Sequence, residues 1–309
     1  MGERSKKLGD HGEDIVASLL ELIGWKSPLK GIDLSCFKPS THGSAESPRR
    51  SHGVDFVFSS QSQLEDQTLN HTLISSKFTA APYPSNPSNT FKEHFTDLAI
   101  AIECFKKSEV RRRVNSSYQG IMTDSISGAL FWLSGNSEPD AEIVSKIANS
   151  RNIDDFSYGT IYVIDNYRAK FLFDTINFAN GKYGKENVRF NYPYTGKNND
   201  TTSRVTSGPI LPPEYLNSGL IPFHTVKDNQ KHLLVCCQDL LDEISLNRLI
   251  GFSMLVALEY PNKIILAFPD YDFVKHDEMI STAKLSLSDK NFAQCIEVTS
   301  FLKDFRGVE

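Results

Sequence analysis

The chain has few cysteines and lacks the cysteine spacing of common metal-binding motifs. Its 309 residues contain five cysteines (Cys36, Cys104, Cys236, Cys237 and Cys295) and no CxxC pair. An odd number of cysteines does not indicate a disulfide framework, and the missing CxxC pairs argue against a zinc site. We therefore expect a protein of a reducing compartment, the cytoplasm.

A long apolar segment and an excess of positive charge are also missing. No stretch reaches the roughly 18 apolar residues of a membrane span, and the N-terminal residues lead into an amphipathic helix rather than a signal peptide. We expect no association with a membrane. The formal net charge of −5 gives the whole chain no attraction for nucleic acid. Local basic patches would have to supply any attraction for nucleic acid. Alternatively, these patches are only solvated charged faces of the surface. The candidate patches are Arg49-Arg50, Lys106-Lys107 and Arg111 to Arg113.

The spacing of apolar residues predicts alternating helices and strands in the first part of the chain. Residues 9–24 and 91–107 have helical spacing, and residues 53–59 and 72–78 have the spacing of strands. The other predictions here are strands at 31–37, 127–133, 160–165 and 169–174, a turn at 166–168 and a helix at 138–150. This order is typical of an α/β layer with a mixed sheet.

A polar stretch divides the chain. Residues 191–213 are rich in Asn, Thr, Ser, Gly and Pro, as in a linker or a long functional loop. Beyond it the pattern restarts, with strands predicted at 231–237 and 263–268 and a helix at 240–257. We therefore predict two domains, residues 1–205 and residues 206–309, the second a smaller α/β region of unknown role.

Polar residues interrupt these apolar elements at Glu13, Asp55 and Lys77. Glu13 lies on the flank of its helix that is expected to turn inward, where an unpaired carboxylate is costly. Strand alternation places Asp55 and Val57 on one face, with Val54 on the other, and it places Ser75 beside Lys77 on one face of the next strand. If the two strands form a hairpin, Asp55 and Lys77 share a face.

These residues resemble the motifs of the PD-(D/E)xK nuclease superfamily, which includes restriction endonucleases and nuclease-like subunits of bacterial anti-phage defence systems. The resemblance lies in Gly12-Glu13 on a helix, Gly53 to Asp55 on a strand and Ser75 to Lys77 on the next strand, in the order that this fold uses. It covers roughly residues 8 to 135. It implies a restriction-endonuclease-like core, with a mixed central sheet flanked by helices, followed by the smaller C-terminal α/β region.

The resemblance also implies an activity. It suggests a metal-dependent DNA endonuclease of anti-phage defence, with Glu13, Asp55, Ser75 and Lys77 as catalytic residues. Asp55 and Glu13 would bind Mg²⁺, for which Mn²⁺ is a possible substitute. The implied partners are DNA and a second protein subunit or a further copy of the chain.

Ser75 departs from the superfamily's pattern, which has an acid at this position. A hydroxyl is a weaker ligand than a carboxylate, so metal binding should be weaker. A carboxylate from Glu93, Glu103 or Asp33 could fill the gap. Alternatively, the chain is a catalytically inactive subunit that binds DNA or supports a catalytic partner.

Each of these residues also has a structural interpretation. Asp55 could be a strand-edge carboxylate in a salt bridge, and Lys77 could be a surface lysine. Glu13 could be an acid near the N-terminus of a helix, where the helix dipole favours negative charge. His52, three residues before Asp55, could contact phosphate or metal or could be a core residue.

Overall fold

The computed structural model describes residues 2–150, 156–200, 204–257 and 261–302. By their internal contacts the residues divide into two compact units, 1–170 and 171–309. The two domains predicted from the polar stretch, with a boundary after residue 205, stay a prediction. No helix in the described part of the chain has the length and apolar character needed to cross a bilayer.

The first unit contains a mixed five-stranded sheet in the order β1-β2-β3-β4-β5. The strands are β1 (Leu29–Ser35), β2 (Ser51–Gln61), β3 (Thr68–Thr79), β4 (Thr123–Ser134) and β5 (Ile161–Ile164). The helices are α1 (Gly2–Leu22), α2 (Pro39–His42), α3 (Ser88–Phe105), α4 (Glu109–Ser116), α5 (Val144–Ile147) and the first turn of α6 (Asn166–Tyr183). Strands β1, β2 and β3 pair antiparallel, whereas β3, β4 and β5 pair parallel. The predicted mixed sheet flanked by helices is confirmed.

Helices α1 and α3 cover opposite faces of this sheet. A Cβ atom on Gly128 of β4 would meet the side chains of Leu98 and Ile102, so this face of the sheet lies under α3. Gly128 pairs with Leu73 of β3, whereas the β3 residues that face Gly12 of α1 are Ser76 and Phe78. Residues an odd number apart on a strand point to opposite faces, so the sheet is buried on both sides.

The strand predicted at 169–174 is wrong, because these residues lie in helix α6. The buried side chain of Asp165 accepts a hydrogen bond from the Arg168 amide at 3.0 Å, which is the contact of a helix N-cap. Its other oxygen accepts from the Ile143 amide at 2.8 Å. The helix predicted at 138–150 is reduced to α5 among the described residues.

The second unit contains a six-stranded sheet in the order β11-β10-β9-β8-β6-β7. Its strands are β6 (Val188–Asn191), β7 (Ser207–Gly208), β8 (Leu220–Lys227), β9 (Gln230–Cys237), β10 (Lys263–Phe268) and β11 (Ile296–Ser300). The later part of α6 and helices α7 (Glu243–Val256), α8 (Phe273–Ser286) and α9 (Lys290–Cys295) belong to the same unit. Leu246, Leu249 and Ile250 of α7 pack in the core with Leu266 and Phe268. The predicted C-terminal α/β region is thus present.

Candidate active site

The site lies where strands β2 and β3 separate. The two strands pair from Gln61 with Leu69 to Phe56 with Ile74, and β3 then continues beside β4 as far as Thr79. Directly past the last pair, the Ser76 amide donates a hydrogen bond to the Asp55 carboxylate at 2.6 Å. The side chain of Asp55 therefore replaces a backbone acceptor at the point where the ladder ends.

The alternation of strand β2 is broken at Asp55. Val54 and Val57 belong to the same buried cluster, and their partners on β1, Ile32 and Leu29, pack against it as well. In a regular strand, residues three apart point to opposite faces. The side chains of β2 therefore change face between Val54 and Val57, at Asp55 and Phe56. The predicted alternation is therefore wrong here, because a local distortion of the bulge type intervenes.

Gly31 provides the matching distortion on β1. It falls between the pairs of Lys30 with Phe56 and Ile32 with Val54, which places it opposite Asp55. Its φ is +58°, a conformation that a residue with a Cβ atom adopts only with strain. The paired distortion frees Asp55 from the regular ladder, so its carboxylate can turn toward the Ser76 amide.

Asp55 interacts electrostatically with both Glu13 and Lys77. Burial raises the pKa of Asp55, and the Ser76 hydrogen bond and the positive charge of Lys77 oppose that rise. Burial and then the negative charge of Asp55 raise the pKa of Glu13. Asp55 is thus the residue that has a charge interaction with each of the other two. Glu13 is exposed on α1, so the expectation that it points into the core is wrong.

Helix α1 reaches this region because it has a glycine at the closest approach. A Cβ atom on Gly12 would lie 2.4 Å from Cβ of Phe78, a distance that real side chains do not tolerate. Gly12 thus allows the helix to pack directly on β3. The next residue is Glu13, whose carboxylate consequently lies near the separation of β2 and β3.

His94 is a neighbour of the site that the sequence analysis did not single out. Lys77 pairs with Trp132 of β4, and the His94 ring meets Trp132 edge-on with 5.6 Å between ring centroids. Burial and then the charge of Lys77 lower the pKa of His94, which favours the neutral imidazole. No spacing motif links His94 to Lys77. Only the packing of α3 on the sheet brings them together.

This geometry agrees with a comparison against known families. Residues 1–168 match the model of the GAPS4 protein PD-(D/E)XK nuclease domain. The chain belongs to this family. The resemblance to a PD-(D/E)xK nuclease of an anti-phage defence system is confirmed with it. No curated protein matches the chain.

Three acids were named as candidates for the ligand that Ser75 does not supply in this GAPS4 nuclease domain. The carboxylate of Glu103 is buried and held by Lys38 at 2.6 Å and by His42 at 3.1 Å. Asp33 is exposed on β1, where its charge acts on His52. Glu93 is exposed on α3, and its charge acts on His94, the neighbour of Lys77. Of the three acids, Glu93 therefore has the most direct link to the site.

Most of the basic side chains proposed for DNA contacts already have partners. Arg111 donates two hydrogen bonds to Asp124, at 2.6 and 2.8 Å, and Arg112 contacts Glu109. Arg49 pairs with Asp97 at 2.9 Å. Lys106 donates to Ser157, and Lys107 lies 4.3 Å from the centroid of the Phe37 ring. The exposed side chains of Arg50 and Arg113 are the better candidates for phosphate contacts.

Proposed function

We propose that this GAPS4-family chain is a Mg²⁺-dependent DNA endonuclease that cleaves phosphodiester bonds in anti-phage defence. It would act in the cytoplasm as one subunit of a complex with a second protein or with further copies of itself. One observation carries the proposal: the Asp55 carboxylate lies at the separation of two strands, within the electrostatic reach of both Glu13 and Lys77.

The carboxylates suit a hard divalent cation. Magnesium takes oxygen ligands and retains several waters, so the carboxylates of Asp55 and Glu13 could hold it together with solvent. The negative charge of Asp55 raises the pKa of Glu13, a repulsion that a bound cation would relieve. Bound Mg²⁺ would neutralise charge on the phosphate and make a water more acidic.

Lys77 would supply an ammonium group near Asp55. In the reaction a water oxygen forms a bond to phosphorus, the bond to the leaving sugar oxygen breaks, and that oxygen takes up a proton. Negative charge grows on the phosphate as this happens, and a nearby ammonium stabilises it more in the transition state than in the substrate. Lys77 would also orient the attacking water. Ser75 would add a neutral hydroxyl ligand.

A metal titration tests this function and the role of Ser75 together. We expect DNA cleavage by wild type to need millimolar-scale Mg²⁺, to proceed at lower Mn²⁺ concentration, and to stop with a chelator. Ser75→Glu should lower the Mg²⁺ requirement about tenfold, since it restores an anionic ligand worth about 1.4 kcal/mol. The measurement is plasmid cleavage against metal concentration, with and without the proposed second subunit.

The control for this titration is Thr123→Glu. It adds the same charge at an exposed position at the opposite end of the β3-β4 pairing, so the metal requirement should not change. If Ser75→Glu instead reduces activity, a carboxylate such as that of Glu93 already fills the space. Intact DNA binding with no cleavage by any of these proteins, under either metal, would favour the alternative function of an inactive DNA-binding subunit.

Removing the charge of Glu13 should reduce cleavage strongly. We expect Glu13→Gln to slow cleavage by roughly tenfold to a hundredfold, about 1.4 to 2.7 kcal/mol, because one of two anionic ligands is lost. Stability should change little, since the side chain is exposed. The matched control is Asp14→Asn, the adjacent exposed acid, which should retain wild-type cleavage. Equal cleavage rates of Glu13→Gln and wild type would show that Glu13 has no role in catalysis.

A further inference from the structure

A second group of metal-binding side chains lies in the first unit, apart from the carboxylates of the candidate active site. Cys36, His42, His52 and Cys104 each offer one ligand atom, and these atoms all lie within 4.8 Å of one another. His42, His52 and Cys104 are buried, and Cys36 is half-buried. The absence of a CxxC pair from the sequence argues against a zinc site. These four residues have no motif spacing, and the fold alone collects them.

The distances within the group are close to those of a tetrahedral zinc site. Sγ of Cys36 lies 3.2 Å from Nδ1 of His42, and Sγ of Cys104 lies 3.4 Å from the same nitrogen. Zinc–sulfur bonds of about 2.3 Å and zinc–nitrogen bonds of about 2.0–2.1 Å place S and N ligands about 3.6 Å apart in a tetrahedron. A small expansion of the group would therefore admit the ion.

His52 points to a ligand independently of these distances. Its side chain is 1% exposed, and neither ring nitrogen has a hydrogen-bond partner among the described residues. A buried polar group without a partner costs free energy, so native proteins rarely keep one. The His52 ring lies 5.3 Å from the His42 ring, centroid to centroid, beside the two thiols. A metal ion would satisfy one of these two nitrogens.

The surroundings of His42 are those of a metal-bound histidine. Its Nδ1 faces the two sulfur atoms, and its Nε2 lies 3.1 Å from a carboxylate oxygen of Glu103. Histidines that bind metals commonly donate their other N–H to a carboxylate, which fixes the ring and its tautomer. Lys38 in turn contacts Glu103 at 2.6 Å. This arrangement also explains why the acidic residue Glu103 of α3 is buried.

We propose that Cys36, His42, His52 and Cys104 bind one Zn²⁺ in a closed structural site. Two sulfur and two nitrogen ligands suit zinc, and four protein ligands leave no open position for catalysis. Two thiolates balance the charge of the ion, so the buried site is neutral apart from the Glu103–Lys38 pair. The ion would link the connection between β1 and β2 to helix α3. Through His52, the ion would also fix the position of β2 three residues before Asp55.

Metal analysis of the purified full-length chain tests the site. With an affinity tag that uses no metal resin, we expect about one zinc per chain by elemental mass spectrometry. Cys104→Ser and His52→Ala should lose most of this zinc. The matched controls are Cys236→Ser, another buried thiol, and His232→Ala, another buried histidine without a hydrogen-bond partner among the described residues. Both controls, and Asp55→Asn, should keep the zinc.

Cobalt provides a second measurement that does not need folded variants. Co²⁺ added to chelator-treated, reduced wild type should give the thiolate-to-cobalt absorption of a tetrahedral site. Cobalt at the oxygen ligands of the nuclease site would not give this band. The proposal is overturned if wild type carries no zinc and gives no such band. It is also overturned if peptide mapping of freshly isolated protein finds a Cys36–Cys104 disulfide.

Discussion

An Asp55→Asn protein is expected to lose DNA cleavage almost completely and to keep its fold. The substitution removes the charge that would hold the metal, but it retains a side-chain oxygen that can accept the Ser76 amide hydrogen bond. Loss of about 4 kcal/mol of transition-state stabilisation would slow cleavage roughly a thousandfold. The measurement is the single-turnover cleavage rate of a plasmid at saturating Mg²⁺, with and without the proposed second subunit.

The same substitution should leave the protein at least as stable as wild type. Burial raises the pKa of Asp55, so the folded state favours the protonated form more than the unfolded chain does. Wild type therefore loses stability as pH rises from the usual pKa of an aspartate through the raised pKa. Asparagine does not ionise and avoids this loss. Thermal unfolding against pH should show Asp55→Asn equal to wild type in acid and equal or higher near neutrality.

The control for Asp55 is Asp33→Asn on the neighbouring strand. Asp33 is exposed, and its substitution should change neither cleavage nor the pH dependence of unfolding. Wild-type cleavage or full phage protection by a folded Asp55→Asn protein would contradict the catalytic assignment. A catalytically inactive subunit that binds DNA or supports a catalytic partner would then be the better explanation.

A Lys77→Met protein is expected to lose cleavage by about a hundredfold to a thousandfold. Removing one preorganised electrostatic stabiliser of a transition state typically has an effect of this size. Methionine keeps much of the length and apolar volume of the side chain, which is half-buried beside Trp132. Lys77→Arg should recover only part of the rate, since a planar guanidinium does not reproduce a compact ammonium. The rates are compared at saturating metal.

The pKa values of neighbouring groups show whether the Lys77 substitution acts locally. The charge of Lys77 lowers the pKa of both Asp55 and His94, so both values should rise in Lys77→Met. NMR titration of His94 measures the change in its pKa directly. Unchanged chemical shifts of residues away from the site would show that the fold is kept. Lys26→Met, at an exposed position between α1 and β1, serves as the control. Cleavage at the wild-type rate by Lys77→Met would exclude Lys77 from catalysis.

The elements around the site could be predicted from local sequence because each has a strong periodic pattern. The apolar spacing of α1 and α3 and the strand pattern of β2 and β3 correspond to the observed helices and strands, with the ends shifted by up to seven residues. The strand pattern at 169–174 was misleading because its apolar residues suit either structure. Asp165, one position before α6, was the unused signal: its side chain caps the helix.

The local sequence could not reveal the distortion at Asp55. Alternation of side chains assumes a regular ladder, and it predicted opposite faces for Val54 and Val57, which share one core cluster. The signal was Gly31, on a different strand, whose positive φ matters only because β1 pairs with β2 at that position. A cross-strand effect of this kind follows from the pairing register, which the sequence of one strand does not contain.

The sequence by itself determined the helices and strands that carry the candidate site, the nuclease family and the choice of Glu13, Asp55 and Lys77 as candidates, because these depend on short-range patterns. Only the tertiary structure decided which side chains meet. It placed Glu103 with Lys38 rather than beside Asp55, and it collected Cys36, His42, His52 and Cys104 from separate elements. The physical reason is that contacts between residues far apart in the chain depend on strand register and helix packing, and no local spacing records either.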